Sequence, residues 1–234
     1  MKSQLYVPEQ TRRYFGSQIS SFIKIYSQKL LPVFKDMEEE ADKHETDFYN
    51  DYMNQPSNGD SVDPGSIAEE ARDIGIEHYS FLKLGKYHLT ATWHAMLYEL
   101  WEQQIRLFLF REISKDKPIN DFKIFCDKLK RIKKELESHN IDTQQQGLCW
   151  NKIDELNLLC NVIKHSDGKS LDRLRRKNPA LLKKGSVVDV ELIKLYRTSL
   201  LEEVLNIDET TLQDYEDGLL SFWENIPERN YSNE

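Results

Sequence analysis

The chain has 234 residues, 39% of them hydrophobic and 31% charged, with a formal net charge of -8. This length suits one large domain, or one domain with an accessory segment, and ten Phe, eleven Tyr and four Trp are enough to build a core, which excludes disorder throughout. No apolar run reaches the roughly 18–20 residues that cross a bilayer, and the first residues lack the apolar stretch of a signal peptide. Cys126, Cys149 and Cys160 lack metal-ligand spacing, so the expectation is a cytoplasmic protein with reduced thiols, no metal and no membrane association.

The charge is unevenly spread. Asp36 to Asp73 holds thirteen acids against Lys43 and Arg72, and Glu202 to Glu234 holds ten acids against Arg229. The sign reverses between them: Arg111 to Lys134 carries nine bases and four acids, and Val162 to Lys184 carries eight bases and two acids. An acidic chain is a poor general binder of nucleic acid, yet local basic patches still hold phosphates. Solvated helix faces account for such patterns more commonly.

Taken in order, Tyr14, Phe15, Ile19, Phe22, Ile23, Tyr26 and Leu30 alternate in steps of three and four, which predicts an amphipathic helix. Pro32 ends or kinks it. Lys35 to Met53 reads as a second, acidic helix, followed by a polar loop over Gln55–Asp60 and a turn at Asp63-Pro-Gly. Ser66 with Glu69 forms a capping box for the next helix, and Gly75 or Gly85 is a candidate break in it. Tyr87 to Ile113 is the clearest helix of the chain, with a wide apolar face through Trp93, Met96, Leu97, Leu100, Trp101, Gln104 and Phe108. Glu102 and Arg106 stand at i,i+4 on it.

A helix from Asn120 or Asp121 through Leu136 comes next, then a connection over His139–Gly147. Cys149 to Lys164 forms another helix, with Trp150, Ile153, Leu156, Leu159, Cys160 and Ile163 on its core side. A short basic helix over Ser170–Lys177 stops at Asn178-Pro179. Gly185–Leu192 reads as a strand or an extended link, Ile207–Trp223 as the last helix, and Asn230–Glu234 as a loose tail. Strand signal is nearly absent, so the expected class is all-α: a bundle of long antiparallel helices.

Only one stretch suggests chemistry. The helix at Asn157-Leu-Leu-Cys-Asn-Val-Ile-Lys-His165 ends in Ser-Asp-Gly168. Asn161 stands one turn before His165, on the same face, and a helix C-terminus favours cationic groups. An amide and an imidazole so placed can bind a phosphate or ribose and transfer a proton. Lys164, Lys169, Arg173, Arg175 and Arg176 can supply positive charge for a phosphodiester. The same pair also reads as an ordinary C-cap, with histidine on the last carbonyls and Asn161 satisfying a buried partner. No glycine-rich phosphate loop, serine nucleophile elbow or zinc signature is present in the sequence. His94 reads as a core-edge histidine, and His78 and His88 do not pair at metal-ligand spacing.

The segment Asn157–Lys177, continued by Asn178-Pro-Ala-Leu-Leu182, resembles a segment of bacterial helical proteins similar to the HEPN superfamily (higher eukaryotes and prokaryotes nucleotide-binding). The helix Thr90-Ala-Thr-Trp-His-Ala-Met-Leu-Tyr-Glu-Leu-Trp-Glu-Gln-Gln104 resembles another helix of those proteins, so the likeness spans Leu84 to Leu182. It implies a HEPN-like bundle over residues 66–234, preceded by an acidic helical extension over 1–65. Many members of that superfamily are metal-independent ribonucleases of toxin–antitoxin and antiviral defence systems, and two copies commonly meet as a homodimer. Their motif is an arginine, a polar residue, a few others and a histidine at a helix end. The resemblance places the polar residue at Asn161 and the histidine at His165, with no cofactor. The arginine position falls on Cys160, a departure that removes the natural phosphate fork. Two expectations follow: a ribonuclease that uses His165, or a catalytically degenerate subunit that binds a partner protein or RNA.

Overall fold

A computed structural model describes residues 4–55, 63–119, 121–144, 149–186 and 189–232. Strand β1 (Gln4–Tyr6) leads into helix α1 (Glu9–Ile25), which buries Phe15, Ile19 and Ile23. A π turn (Tyr26–Leu30) and a 3-10 turn (Leu31–Phe34) follow, the second built around Pro32, whose missing N–H cannot continue an α-helical ladder. Helix α2 (Met37–Met53) is the acidic helix. The expected loop at residues 56–60 lies outside the described residues.

Helix α3 (Pro64–Ile113) has 50 residues, which makes it about 75 Å long. It starts two residues before the expected capping box, because Asp63 is the cap: its carboxylate accepts from the Gly65 amide at 3.3 Å, with Pro64 in the first helical position. The helix runs unbroken through Gly75 and Gly85. Gly75 serves packing instead of a break. A Cβ there would lie 3.0 Å from Glu45 Cβ and 3.4 Å from the Ala41 carbonyl, so the missing side chain lets α2 approach α3 closely. The two helices form an antiparallel hairpin, with Glu40 opposite His78 and Glu45 opposite Gly75.

The helix predicted from Asp121 begins only at Leu129: α4 spans Leu129–Ser138. Asn120 lies outside the described residues. Phe122–Cys126 forms turns, with Cys126 at φ 48°, a left-handed value that no α-helix continues through. The carbonyls freed there collect Arg106, which donates to Phe122, Lys123 and Phe125 at 3.2–3.4 Å. The expected Glu102–Arg106 ion pair is therefore not made, and Glu102 instead accepts from the Tyr98 hydroxyl at 3.2 Å.

Helices α5 (Trp150–His165) and α6 (Lys169–Lys177) follow, then the short α7 (Leu192–Tyr196) and α8 (Glu209–Asn225). Residues 145–148 and 187–188, within the two connections expected before α5 and before α7, lie outside the described residues. The link expected over Gly185–Leu192 forms no strand among its described residues: Glu191 bridges back to Lys184, Leu192 already starts α7, and a second bridge joins Leu182 with Leu205. The tail is not loose up to Tyr231: strand β2 (Arg229–Tyr231) pairs antiparallel with β1, Leu5 opposite Asn230. Buried Leu5 and Val7 anchor that pairing. Residues 233–234 lie outside the described residues.

The chain is thus mostly helical. Helix α1 lies on α8, and the C-terminal half of α3 lies on α5 and α8. Trp101, Trp150 and Phe222 meet edge-to-face at 5.3–5.9 Å where α3, α5 and α8 converge. Gln104 is buried among them because it is satisfied: it donates to the Phe15 carbonyl at 3.2 Å and accepts from Trp223 Nε1 at 3.0 Å. No helix among the described residues is long and apolar enough to cross a membrane.

Candidate functional site

His165 is the last residue of α5 and is exposed. Among the described residues, no hydrogen bond or ion pair reaches its imidazole. The polypeptide turns sharply after it: Ser166 has φ 56° and ψ -83°, and Gly168 has φ 135°. Helix α6 then starts four residues on, which places Lys169 within about 14 Å of His165 along the chain.

Asn161, half-buried, turns back along its own helix and donates to the Asn157 carbonyl at 2.8 Å and to Asn157 Oδ1 at 3.3 Å. It does not cap His165. Cys160 points inward, donating to the Ala95 carbonyl at 3.7 Å, and burial pushes its thiol up to about 11. A side chain at this position faces α3, not solvent. Lys164 reaches across to Glu99 of α3, and this ion pair raises its proton affinity.

The basic residues of α6 fall into two groups. Arg175 forks onto Glu191, Nε to Oε1 at 2.6 Å and Nη2 to Oε2 at 2.8 Å, and also meets Asp172 at 2.6 Å. Lys169, Arg173 and Arg176 are exposed and make no ion pair among the described residues. Arg176 donates only to the Asp172 carbonyl, at 3.3 Å.

The residues that hold this helix end lay beyond sequence reasoning. Ser199 is buried, donates to the Ile163 carbonyl at 2.7 Å and meets Ser166 Oγ at 2.9 Å. Tyr87 donates to the Ser199 carbonyl at 2.9 Å, and His88 Nε2 meets the Leu200 carbonyl. No spacing in Arg197-Thr-Ser-Leu-Leu201 signals this contact, because its partners are 33 residues or more away in sequence.

His94 is buried, bonded to the Thr90 carbonyl and Thr211. His78 pairs with Glu40 at 3.1 Å and stacks on His44 with ring centroids 4.3 Å apart. Glu102 is half-buried, and burial raises its carboxyl pKa. Among the described residues, no group of three or more His, Cys, Asp or Glu side chains is arranged to hold a metal ion. A cleft of about 590 Å³ lies elsewhere, lined by Tyr26, Tyr79, Lys83, Lys86, Lys183 and Glu203 among others. It does not include His165.

No protein-family model, curated protein or solved structure matches the chain.

Proposed function

We propose that this protein is a HEPN-like, metal-independent endoribonuclease of a bacterial defence or toxin–antitoxin type, acting through His165. One observation carries the reading: an exposed imidazole with no partner among the described residues stands at a helix end, and the helix that follows, α6, carries the exposed cations Lys169, Arg173 and Arg176. His165 takes the proton of an RNA 2′-hydroxyl, the 2′-oxygen bonds to the adjacent phosphorus as the bond from phosphorus to the 5′-oxygen breaks, and the 5′-oxygen leaves with a proton from water, giving a 2′,3′-cyclic phosphate and a 5′-hydroxyl. The cations bind the phosphate and balance the charge that grows on its oxygens. Asn161 orients the ribose. Lys164 and Arg175 enter only by giving up Glu99 and Glu191. With Cys160 facing the core, the charge that the superfamily's arginine supplies comes from α6. The test is cleavage of a labelled RNA by the purified protein in excess chelator. His165→Ala is expected to lower the rate by roughly a hundredfold; an unchanged rate removes His165 from the mechanism.

A second reading has its own support. Helix α2 and the start of α3 carry many exposed carboxylates. Among the described residues, no Lys or Arg makes an ion pair with them, and Glu40 meets His78. An uncompensated acidic surface suits a basic partner protein. The chain would then be a degenerate subunit that binds and does not cleave. A salt-sensitive stoichiometric complex, with no cleavage of any RNA, is its signature.

A further inference from the structure

The last four carbonyls of a helix have no partner within it. In α5 one of them, Ile163, is capped by a side chain from far along the chain: the hydroxyl of Ser199, at 2.7 Å. Ser199 has a single hydroxyl proton and spends it there. The neighbouring Ser166 hydroxyl, 2.9 Å away, must therefore donate to Ser199. Ser199 is 2% exposed, so water does not compete for either bond.

Ser166 directly follows His165 and holds φ 56° and ψ -83°. This is a sparsely populated region for a residue with a Cβ, and it persists only where the surroundings impose it. The imposing groups are two hydrogen bonds. The Ser166 amide closes on the Val162 carbonyl at 2.8 Å, and its hydroxyl is bound to Ser199. Ser199 is itself pinned, since its carbonyl accepts from Tyr87 of α3 at 2.9 Å. Thr198 Oγ1 accepts from the amides of Leu200 and Leu201, both at 3.2 Å, which rigidifies the turn. The long helix α3 thus fixes the Ser199 turn, and that turn fixes the end of α5.

We propose that Ser199, acting through Ser166, is a positioning residue that fixes the last-turn backbone carrying His165 and so sets where its imidazole is presented for proton transfer. The proposal rests on the reading of His165 as the proton-transfer group. A sharp, strained exit immediately after His165 stops α5 from fraying, and the last-turn backbone sets the side-chain direction. Ser199 does not touch substrate. Its contribution is to the rate of a bound complex and not to binding.

Two variants test this. Ser199→Ala removes the cap on Ile163 and the acceptor for Ser166. Ser166→Ala removes only the hydroxyl contact and keeps the Cβ, so no backbone freedom is added beside His165 and the fold is retained. Backbone relaxation of the full chain is expected to show amide order parameters at His165 and Asp167 of about 0.85 in the native protein, falling below about 0.6 in both variants. RNA cleavage is expected to lose about tenfold to a hundredfold in kcat with KM unchanged. Native order at His165 in both variants overturns the proposal, and so does an unaltered kcat in a protein whose cleavage depends on His165. If the native protein cleaves no RNA, the function reading fails and the catalytic role of Ser199 falls with it. The relaxation measurement then still reports whether Ser199 orders this helix end.

Discussion

Buried His94 of α3 and half-buried Thr211 of α8 are joined side chain to side chain, Nε2 to Oγ1 at 3.1 Å. His94 Nδ1 donates to the Thr90 carbonyl at 2.8 Å, and burial keeps the imidazole neutral. Thr211 in turn accepts from the Asp208 amide at 2.8 Å in the capping box that starts α8. Burial lowers the His94 pKa from 6.5 to about 4.

That relationship sets an acid sensitivity. The folded-state pKa is depressed, so the unfolded chain binds the proton first as pH falls. Stability contributed by neutral His94 is complete above about pH 6.5, declines between 6.5 and 4, and is flat below 4. The loss between pH 7 and pH 5 is about 2 kcal/mol from this group. Urea denaturation at the two pH values measures it, and His94→Gln is expected to remove this part of the pH dependence while lowering stability at pH 7.

Gly75 predicts a local effect. Gly75→Val sets branched carbons against Glu45 and Ala41, where a single Cβ is already at 3.0 Å. The cost is about 1–3 kcal/mol, and it falls on the α2–α3 hairpin. Hydrogen exchange is expected to show faster exchange over residues 37–53 and 64–80, with α5 unchanged. Uniform loss across the chain would mean that the hairpin is not a separate stability unit.

Thiol reactivity separates the three cysteines. Cys126 and Cys160 are buried, and burial pushes their thiols up to about 12 and about 11. Cys149 is only half-buried. An aromatic disulfide reagent at pH 8 is expected to titrate one thiol promptly, lost in Cys149→Ser, and the other two only on unfolding.

Arg173 and Arg175 predict opposite phenotypes. Arg173→Ala is expected to weaken RNA binding regardless of sequence and to reduce the salt-dependence slope by about one, with the melting temperature unchanged. Arg175→Ala breaks the fork onto Glu191, whose carboxyl that guanidinium holds below its usual range. Stability is expected to fall by about 1–3 kcal/mol. RNA binding measured over a range of salt, together with thermal melts, checks both.

Long apolar periodicity made the helices around Tyr14–Tyr26, Tyr87–Ile113 and Trp150–Ile163 legible, because each must bury a stripe wider than any local alternative offers. Legibility failed where a residue has two local meanings. Gly75 reads as a break and acts as a contact. Asp121 opens a turn, not a helix, because Arg106 stands ready to bind the carbonyls that a helix would have consumed. The tail reads as loose because three residues of strand carry no periodic signal, yet Gln4–Tyr6 offers it an edge.

The candidate site divides in the same way. Sequence alone determined that His165 ends an apolar helix, that Asn161 shares its face and that basic residues follow, since these depend only on helical spacing and chain order. Tertiary structure alone decided which cations stay unpaired, since Glu99 and Glu191, far along the chain, take Lys164 and Arg175. It also decided that Cys160 faces inward and that Ser199 caps the helix end. The physical reason is that a charge or a hydroxyl is satisfied by whichever group the fold brings within about 3 Å, and sequence spacing does not carry that distance.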